Sequence, residues 1–204
     1  ILRLLCGGQV RRVRARVFDL DRGRQAIGAH CVYLDFENGA AATAVYNGYG
    51  GFQTTEVLGG LSEWGFPAPA QGWSVKRRGD GAARDAAAEL QAKQARAGKV
   101  IPDQAPFHPC FGITLVSCEG GDIRQSPEGL YVYDGDGVEE LRFPTDRSPR
   151  DLVLDELSDA IRGRAAAVHD GHWGMANLEV CLAAIESSER AAEMDLTEQR
   201  AVSV

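Results

Sequence analysis

The sequence of 204 residues has no long hydrophobic run. A membrane-spanning helix needs about 20 consecutive apolar residues, and no stretch here approaches that length. The first residues also lack the charged start and the small-residue cleavage site of a secretory signal peptide. We therefore expect a cytoplasmic protein that does not interact with membranes.

Basic residues, cysteines and histidines are all scarce or unfavourably placed. There are 22 Lys and Arg against 29 Asp and Glu, which gives a formal charge of -7 at pH 7. This balance argues against a general nucleic-acid surface. The 5 cysteines are an odd number at wide spacing, and the 4 histidines form no second pair at zinc-ribbon spacing. We expect no disulfide framework, no metal site and no nucleic-acid partner.

A glycine-rich nucleotide loop is also missing. The dinucleotide motif Gly-x-Gly-x-x-Gly joins a strand to a helix, because glycines let backbone amides approach the pyrophosphate. Three partial matches, beginning at Gly48, Gly79 and Gly135, lack the final glycine. No Gly-x-Ser-x-Gly nucleophile elbow occurs. The sequence therefore predicts no cofactor-binding residue in this chain.

What is present is a series of short strands. Val10–Phe18 alternates valine and alanine with Arg12, Arg14 and Arg16, which is typical of a half-buried strand. We expect the arginine stripe to be solvated or salt-bridged across a subunit contact. Strands at 29–36 and 41–49 would form a hairpin around Asn38-Gly39. Further strands are predicted at 52–58, 112–119, 130–134, 138–143 and 194–202.

The last third of the sequence changes to helical spacing. Helices are predicted at 151–162, where Gly163 would end the helix, and at 174–190. Each would bury one apolar stripe. The stripes comprise Val153, Leu154, Leu157 and Ile161 in the first helix, and Met175, Leu178, Leu182 and Ile185 in the second. Strands followed by helices predict an α+β fold with an open, mainly antiparallel sheet covered on one face by helices.

Residues 67–106 have the composition of an exposed insertion in a single domain that spans residues 1–204. Prolines flank the segment, and the alanine-rich helix predicted over 84–96 has almost no apolar stripe. The chain also opens directly on an apolar helical turn, Ile1-Leu2-Arg3-Leu4-Leu5, that closes on glycine. We expect another domain to precede residue 1.

Two clusters are candidates for binding. The first lies in the insertion, where arginines could bind a carboxylate through two hydrogen bonds or could form a solvated basic turn. The second leads into a helix, where an imidazole could stand at a cleft edge. Its polar groups could instead cap the helix while the indole packs. The candidates are Trp73, Lys76, Arg77 and Arg78 in the first cluster, and His169 and Trp173 in the second.

Several segments have a recognisable order. The chain begins Ile1-Leu2-Arg3-Leu4-Leu5-x-Gly-Gly and ends with Asp155-Glu156-Leu157, His169-Asp170-Gly171-x-Trp173-Gly174 and Leu178-Glu179-Val180. This order resembles the C-terminal domain of Gfo/Idh/MocA oxidoreductases. Segments 72–79, 111–119 and 127–133 look most like the 4,5-dihydroxyphthalate dehydrogenase branch of that family. The resemblance covers essentially the whole chain.

The resemblance implies a dehydrogenase with an N-terminal Rossmann domain that binds NAD or NADP. Its C-terminal α+β domain would contact the substrate and form homo-oligomers through the open sheet. The catalytic and cofactor-binding residues of the family would lie before Ile1, so none is carried over to this sequence. The chain alone should then be inactive and bind no cofactor.

The expected function is therefore the C-terminal domain of an NAD(P)-dependent dehydrogenase. Its substrate would be a cis-dihydrodiol of phthalate or a related aromatic acid, contacted by Lys76, Arg77, Arg78, Trp73, His169 and Trp173. A sugar or inositol dehydrogenase, which would bind a polyol, is one alternative. A non-catalytic module that dimerises through its sheet is the other.

Overall fold

A computed structural model describes residues 1–20, 27–50, 54–67, 90–91, 94–95 and 105–202. The chain divides into two compact units, one formed by Ile1–Gly50 with Asp155–Val204 and the other by Gly51–Leu154. Each unit contains one four-stranded sheet, and all strand pairs are antiparallel. The predicted α+β class with open antiparallel sheets is confirmed. The strands are, however, divided between two sheets.

The sheet of the first unit has four strands. Its hairpin turns at Asn38-Gly39 as predicted, with Gly39 at φ +86°. A short helix, α1 (Leu2–Leu5), precedes the sheet. The strands are β1 (Val10–Phe18), β2 (Ala29–Phe36), β3 (Ala41–Asn47) and β8 (Met194–Asp195). They lie in the order β3-β2-β1-β8. The predicted final strand over 194–202 is therefore much shorter than expected.

The second unit holds four strands that pair in chain order. They are β4 (Leu115–Cys118), β5 (Gly121–Gln125), β6 (Gly129–Asp134) and β7 (Gly137–Arg142). The sequence pattern did not predict β5. The strand predicted over 52–58 is wrong in its described part, because Thr54–Glu56 forms a 3-10 turn. The predicted insertion and its helix over 84–96 lie largely outside the described residues.

Two helices follow, α2 (Pro149–Ile161) and α3 (Gly171–Arg190). Gly163 lies beyond α2 at φ +67°, as expected of a residue that ends a helix. Among the described helices none is long and apolar enough to cross a membrane.

The predicted burial of the apolar stripes is wrong. No residue of α2 is buried, and Ile161 is 77% exposed. In α3 the buried face consists of small residues, whereas Leu178 and Leu182 are 58% and 56% exposed and Ile185 is half-buried. The small residues are Ala176, Ala183, Ala184, Ser187 and Ser188. Small side chains allow the helix backbone to lie close to the sheet, so the large ones are left on the opposite face.

The core of the first unit forms between β1, β2 and this small-residue face of α3. It contains Val10, Val13, Leu34 and Phe36, each at most 4% exposed, together with smaller residues of the strand and helix. The predicted inward face of β1 is confirmed by the burial of Val13 and Ala15.

Two serine hydroxyls of α3 complete the edge of β1. The pairing of β1 with β8 covers only Arg12 and Val13. Further along β1, the Oγ atom of Ser187 accepts a hydrogen bond from Ala15 N at 2.9 Å, and Ser188 Oγ accepts one from Val17 N at 3.0 Å. The helix thus supplies the acceptors that a longer β8 would have provided.

The last described residues return to the start of the sheet. Val202 N donates to Gly7 O at 3.1 Å. Gly8 has φ +92°, and a Cβ atom placed on it would lie 2.6 Å from Arg200 O. Only glycine fits this close backbone approach.

Candidate functional site

Four of the six predicted binding residues, Trp73, Lys76, Arg77 and Arg78, lie outside the described residues. The other two are in direct contact. The rings of His169 and Trp173 meet edge to face, with centroids 5.9 Å apart and an interplanar angle of 86°. The second predicted cluster therefore forms the candidate site.

The start of α3 holds these two rings together. Asp170 is the N-cap in extended conformation, and its Oδ1 accepts a hydrogen bond from Trp173 N at 2.8 Å. The first helical turn then brings Trp173 back beside His169. The alternative interpretation from the sequence, helix capping with a packed indole, is thus confirmed for Asp170. It is compatible with exposure of the imidazole, whose side chain is 57% exposed.

A carboxylate from α2 holds His169. Glu156 Oε1 accepts from His169 N at 2.9 Å, and its Oε2 lies 2.9 Å from His169 Nδ1. The backbone amide of His169, followed by its ring, holds the pKa of the Glu156 carboxyl below its usual value. Glu156 therefore remains an anion at neutral pH and fixes the orientation of the imidazole.

The opposite side of Trp173 is held by Arg3, which sequence analysis did not single out. Arg3 is only 4% exposed, and its guanidinium carbon lies 4.0 Å from the centroid of the Trp173 ring. Its Nη1 donates to Asn177 Oδ1 at 2.8 Å, and its Nε donates to Gln199 Oε1 at 3.0 Å. The sequence feature that could have indicated Arg3 is its position as a single cation among the apolar residues of α1.

Glu179 provides the counter-charge of this buried arginine. Burial lowers the pKa of Arg3, and Glu179 opposes that shift. Burial also disfavours the charged form of Glu179, but hydrogen bonds from Gln199 Nε2 and Thr197 N, both at 2.7 Å, outweigh it. The pKa of Glu179 is lowered as a result. Arg3, Trp173 and the C-terminal segment thus form one fixed support for the site.

The outer face of the first sheet carries the predicted arginine stripe. Arg14 and Arg16 donate to the carbonyl oxygens of Ser187 and Ser188 at the end of α3, at 3.1 and 3.4 Å, where cations complement the helix dipole. Arg12 instead pairs with Glu193 at 2.8 Å. The stripe is therefore bonded within the chain.

An exposed groove of about 380 Å³ runs along this outer face. Its apolar wall includes Tyr33 and Val45, which are 42% and 75% exposed.

The described residues offer no cradle for a dinucleotide. Gly48 follows β3 in a turn, and Gly135 lies in the hairpin between β6 and β7, so neither begins a helix. The partial match at Gly79 lies outside the described residues. Nor does any group of three or more His, Cys, Asp or Glu side chains in the described part of the chain suit a metal ion.

Comparison with known proteins shows similarity to dehydrogenases. No family model matches the chain. It is 32% identical over 197 residues to the 1-carboxy-3-chloro-3,4-dihydroxycyclohexa-1,5-diene dehydrogenase of Comamonas testosteroni, a match that covers 93% of this chain and 49% of that protein. The chain is similar to one half of a dehydrogenase. It spans about half the length of the curated relative that it matches.

Solved structures extend this similarity to the fold. A protein of Bordetella bronchiseptica RB50, provisionally described as a dehydrogenase, superposes with a TM-score of 0.75 at 36% identity, over 93% of this chain and 50% of that one. An oxidoreductase of Agrobacterium radiobacter, determined with NAD+, L-tartaric acid and magnesium, gives 0.54 at 13% identity, over 95% and 45% of the two chains. At that identity the likeness shows the shared fold alone.

Proposed function

We propose that this chain is the substrate-binding and oligomerisation half of an NAD(P)-dependent dehydrogenase of the Gfo/Idh/MocA type. The observation that carries the proposal is the 32% identity to the Comamonas testosteroni dehydrogenase over 93% of this chain. The order of segments in the sequence and the shared fold support the same assignment. The longer protein would be cytoplasmic.

The proposed substrate is a cyclic dihydrodiol that carries a carboxylate, as a product of aromatic-acid breakdown would. The name of the related enzyme describes a ring with one carboxyl and two hydroxyl groups. In our proposal Arg77, Arg78 and Lys76 bind the carboxylate. His169 bonds a hydroxyl, and Trp73 or Trp173 forms a wall beside the ring.

Hydride transfer would require the other half of such an enzyme. The nicotinamide must be held in contact with the substrate carbon, and the described residues offer no cradle for it. We therefore propose that NAD or NADP binds outside this chain, and that the chain alone binds substrate without oxidising it.

The outer face of the first sheet is the proposed oligomer contact. Its groove exposes apolar side chains that a monomer would leave in water. Val45→Arg should shift the oligomer to monomer in analytical ultracentrifugation, because burying a further cation in the groove that Arg14 and Arg16 already line is costly at an interface. Val57→Arg, at a position 55% exposed in the other unit, is the control. If the native protein is already monomeric, the interface proposal is wrong.

The activity proposal is tested with the full-length gene product and a substrate panel. Reduction of NAD+ or NADP+ should be seen with cis-dihydrodiol carboxylates and not with sugars or inositols. Oxidation of sugars alone would favour the sugar-dehydrogenase alternative. No oxidation of either class would favour a non-catalytic module.

The carboxylate contact has its own test. Changing Arg77 and Arg78 together to alanine should raise KM for the dihydrodiol acid by at least about tenfold, because charge-assisted hydrogen bonds are lost. Arg162→Ala, which removes a cation from an exposed position, should leave KM within about twofold. An unchanged KM in the double variant would remove both arginines from the site.

A further inference from the structure

The contacts of Glu156 determine which nitrogen of His169 carries a proton. An ionised carboxylate is only an acceptor, so the Nδ1 atom that lies 2.9 Å from Glu156 Oε2 must carry hydrogen. In the neutral imidazole the Nε2 atom then holds the lone pair. The pKa of the Glu156 carboxyl is held down first by the backbone amide of His169, so this acceptor stays charged in the neutral range.

The Nε2 atom has no hydrogen-bond partner within the described part of the chain. The imidazole is nevertheless tightly held, because Glu156 accepts hydrogen bonds from both the ring and the backbone amide of His169. Trp173 borders the ring at 86°, and Trp173 itself is fixed by Arg3 at 4.0 Å. A lone pair on a fixed ring beside an aromatic wall suits a hydroxyl donor on a ring-shaped molecule.

We propose that Glu156 is a positioning residue for substrate binding. By holding the Nδ1–H tautomer of His169, it presents Nε2 as the acceptor for one hydroxyl of a cyclic vicinal diol. This inference rests on the proposed function and specifies which atom contacts which substrate group. No proton is transferred in this step, because the hydroxyl donates and Nε2 accepts.

The neighbouring His172 provides a matched control. It lies three residues further on in the first turn of α3 and is exposed. In the described residues it makes no hydrogen bond with a carboxylate. If His169 acted only through the general polarity or charge of this end of the helix, His172 should respond to a ligand in the same way.

The test uses the 204-residue chain labelled with ¹⁵N-histidine, without cofactor or turnover. The probe is shikimate, a stable cyclohexene carboxylate whose three adjacent hydroxyl groups include a vicinal diol. NMR distinguishes a protonated ring nitrogen from one with a lone pair. We expect His169 to show a protonated Nδ1, and shikimate to shift the Nε2 signal in the direction of hydrogen-bond acceptance while His172 does not respond.

Variants then distinguish a positioning role of Glu156 from a purely structural one. Glu156→Gln should abolish the preference for the Nδ1–H tautomer and weaken shikimate binding about fivefold, the effect of one ordinary hydrogen bond. Glu156→Asp keeps an anionic acceptor and should restore the tautomer and part of the affinity. His172→Gln should change neither quantity. An unchanged far-ultraviolet circular dichroism spectrum would show that each variant is folded.

Three results would overturn the inference. They are a wild-type His169 protonated at Nε2, a shikimate titration that leaves His169 unmoved, or a Glu156→Gln variant with unaltered tautomer and affinity. Failure of the dehydrogenase proposal is read separately, from the absence of NAD(P)+ reduction by the full-length protein.

Discussion

The two sheets have the same number of strands and the same antiparallel pairing, but they differ in burial. In the first sheet β1 alone buries Val10, Val13 and Ala15, because α3 packs against it. In the four strands of the second sheet, all of them described, Gly129 is the one buried residue. Alternation in a strand determines which side chains share a face. Burial of that face requires a second layer.

The largest effect that we expect from this difference is the loss of stability when a phenylalanine is truncated. Phe36 is 1% exposed in the first sheet, whereas Phe143 is 50% exposed just after the second. Phe36→Ala should cost about 3–5 kcal/mol of unfolding free energy through lost burial and a cavity. Phe143→Ala should cost less than about 1 kcal/mol. Urea unfolding followed by circular dichroism measures both, and equal losses would contradict the comparison.

The next effect concerns two arginines that both stack on aromatic rings. Arg3 lies 4.0 Å from the Trp173 centroid and is buried, whereas Arg124 lies 4.4 Å from that of Tyr131 and is exposed. Arg3→Met leaves buried acceptors without a donor and should cost about 2–3 kcal/mol. Arg124→Met should cost under about 1 kcal/mol, as expected of an exposed cation–π contact. Thermal unfolding of the pair tests whether burial, rather than stacking, sets the cost.

A smaller effect is expected at the serine that caps β1. Ser187→Ala removes the acceptor of the buried Ala15 amide and should cost about 1–2 kcal/mol. Ser117→Ala in the exposed part of β4 should be neutral within about 0.5 kcal/mol. Hydrogen exchange gives a local readout, because the Ala15 amide should lose protection in the first variant only. Retained protection would show that another group can cap this edge.

The smallest expected effect is on the pH dependence of stability. The pKa of Glu179 is lowered in the folded chain, with burial opposed and outweighed by its hydrogen bonds. Its stabilising contribution is therefore complete above the ordinary pKa of a glutamate side chain and is lost as pH falls through the lower folded pKa. Glu179→Gln should flatten the acid limb of the stability profile. Glu139→Gln, on exposed β7, controls for loss of a charge, and an equally flattened profile would refute the assignment.

Periodicity and turn residues are local signals, and they predicted β1, the β2–β3 hairpin and both long helices. The same periodicity indicated the wrong face of the helices as the buried one. The rule that large apolar residues point inward fails in α3, since close approach to β1 selects alanine and serine. Strand β5 was not predicted, because its sequence Gly121-Asp122-Ile123-Arg124-Gln125 has only Ile123 as a large apolar residue.

The candidate site was predictable only in part. His169 and Trp173 lie within one segment, so their contact follows from the helix start that Asp170 caps. Arg3 and Glu156 reach the site from distant parts of the chain, and one sequence gives no sign of such partners. The substrate roles of Trp73, Lys76, Arg77 and Arg78 stay predictions.

The absence of a side chain at Gly8 has a practical consequence. Because a Cβ atom there would lie 2.6 Å from Arg200 O, we expect Gly8→Ala to displace the C-terminal segment from its place beside Gly7 and Gly8. That segment carries Gln199, which bonds both Arg3 and Glu179. Gly8→Ala should therefore weaken the contacts that hold Trp173, although position 8 is not among the residues proposed to contact a ligand.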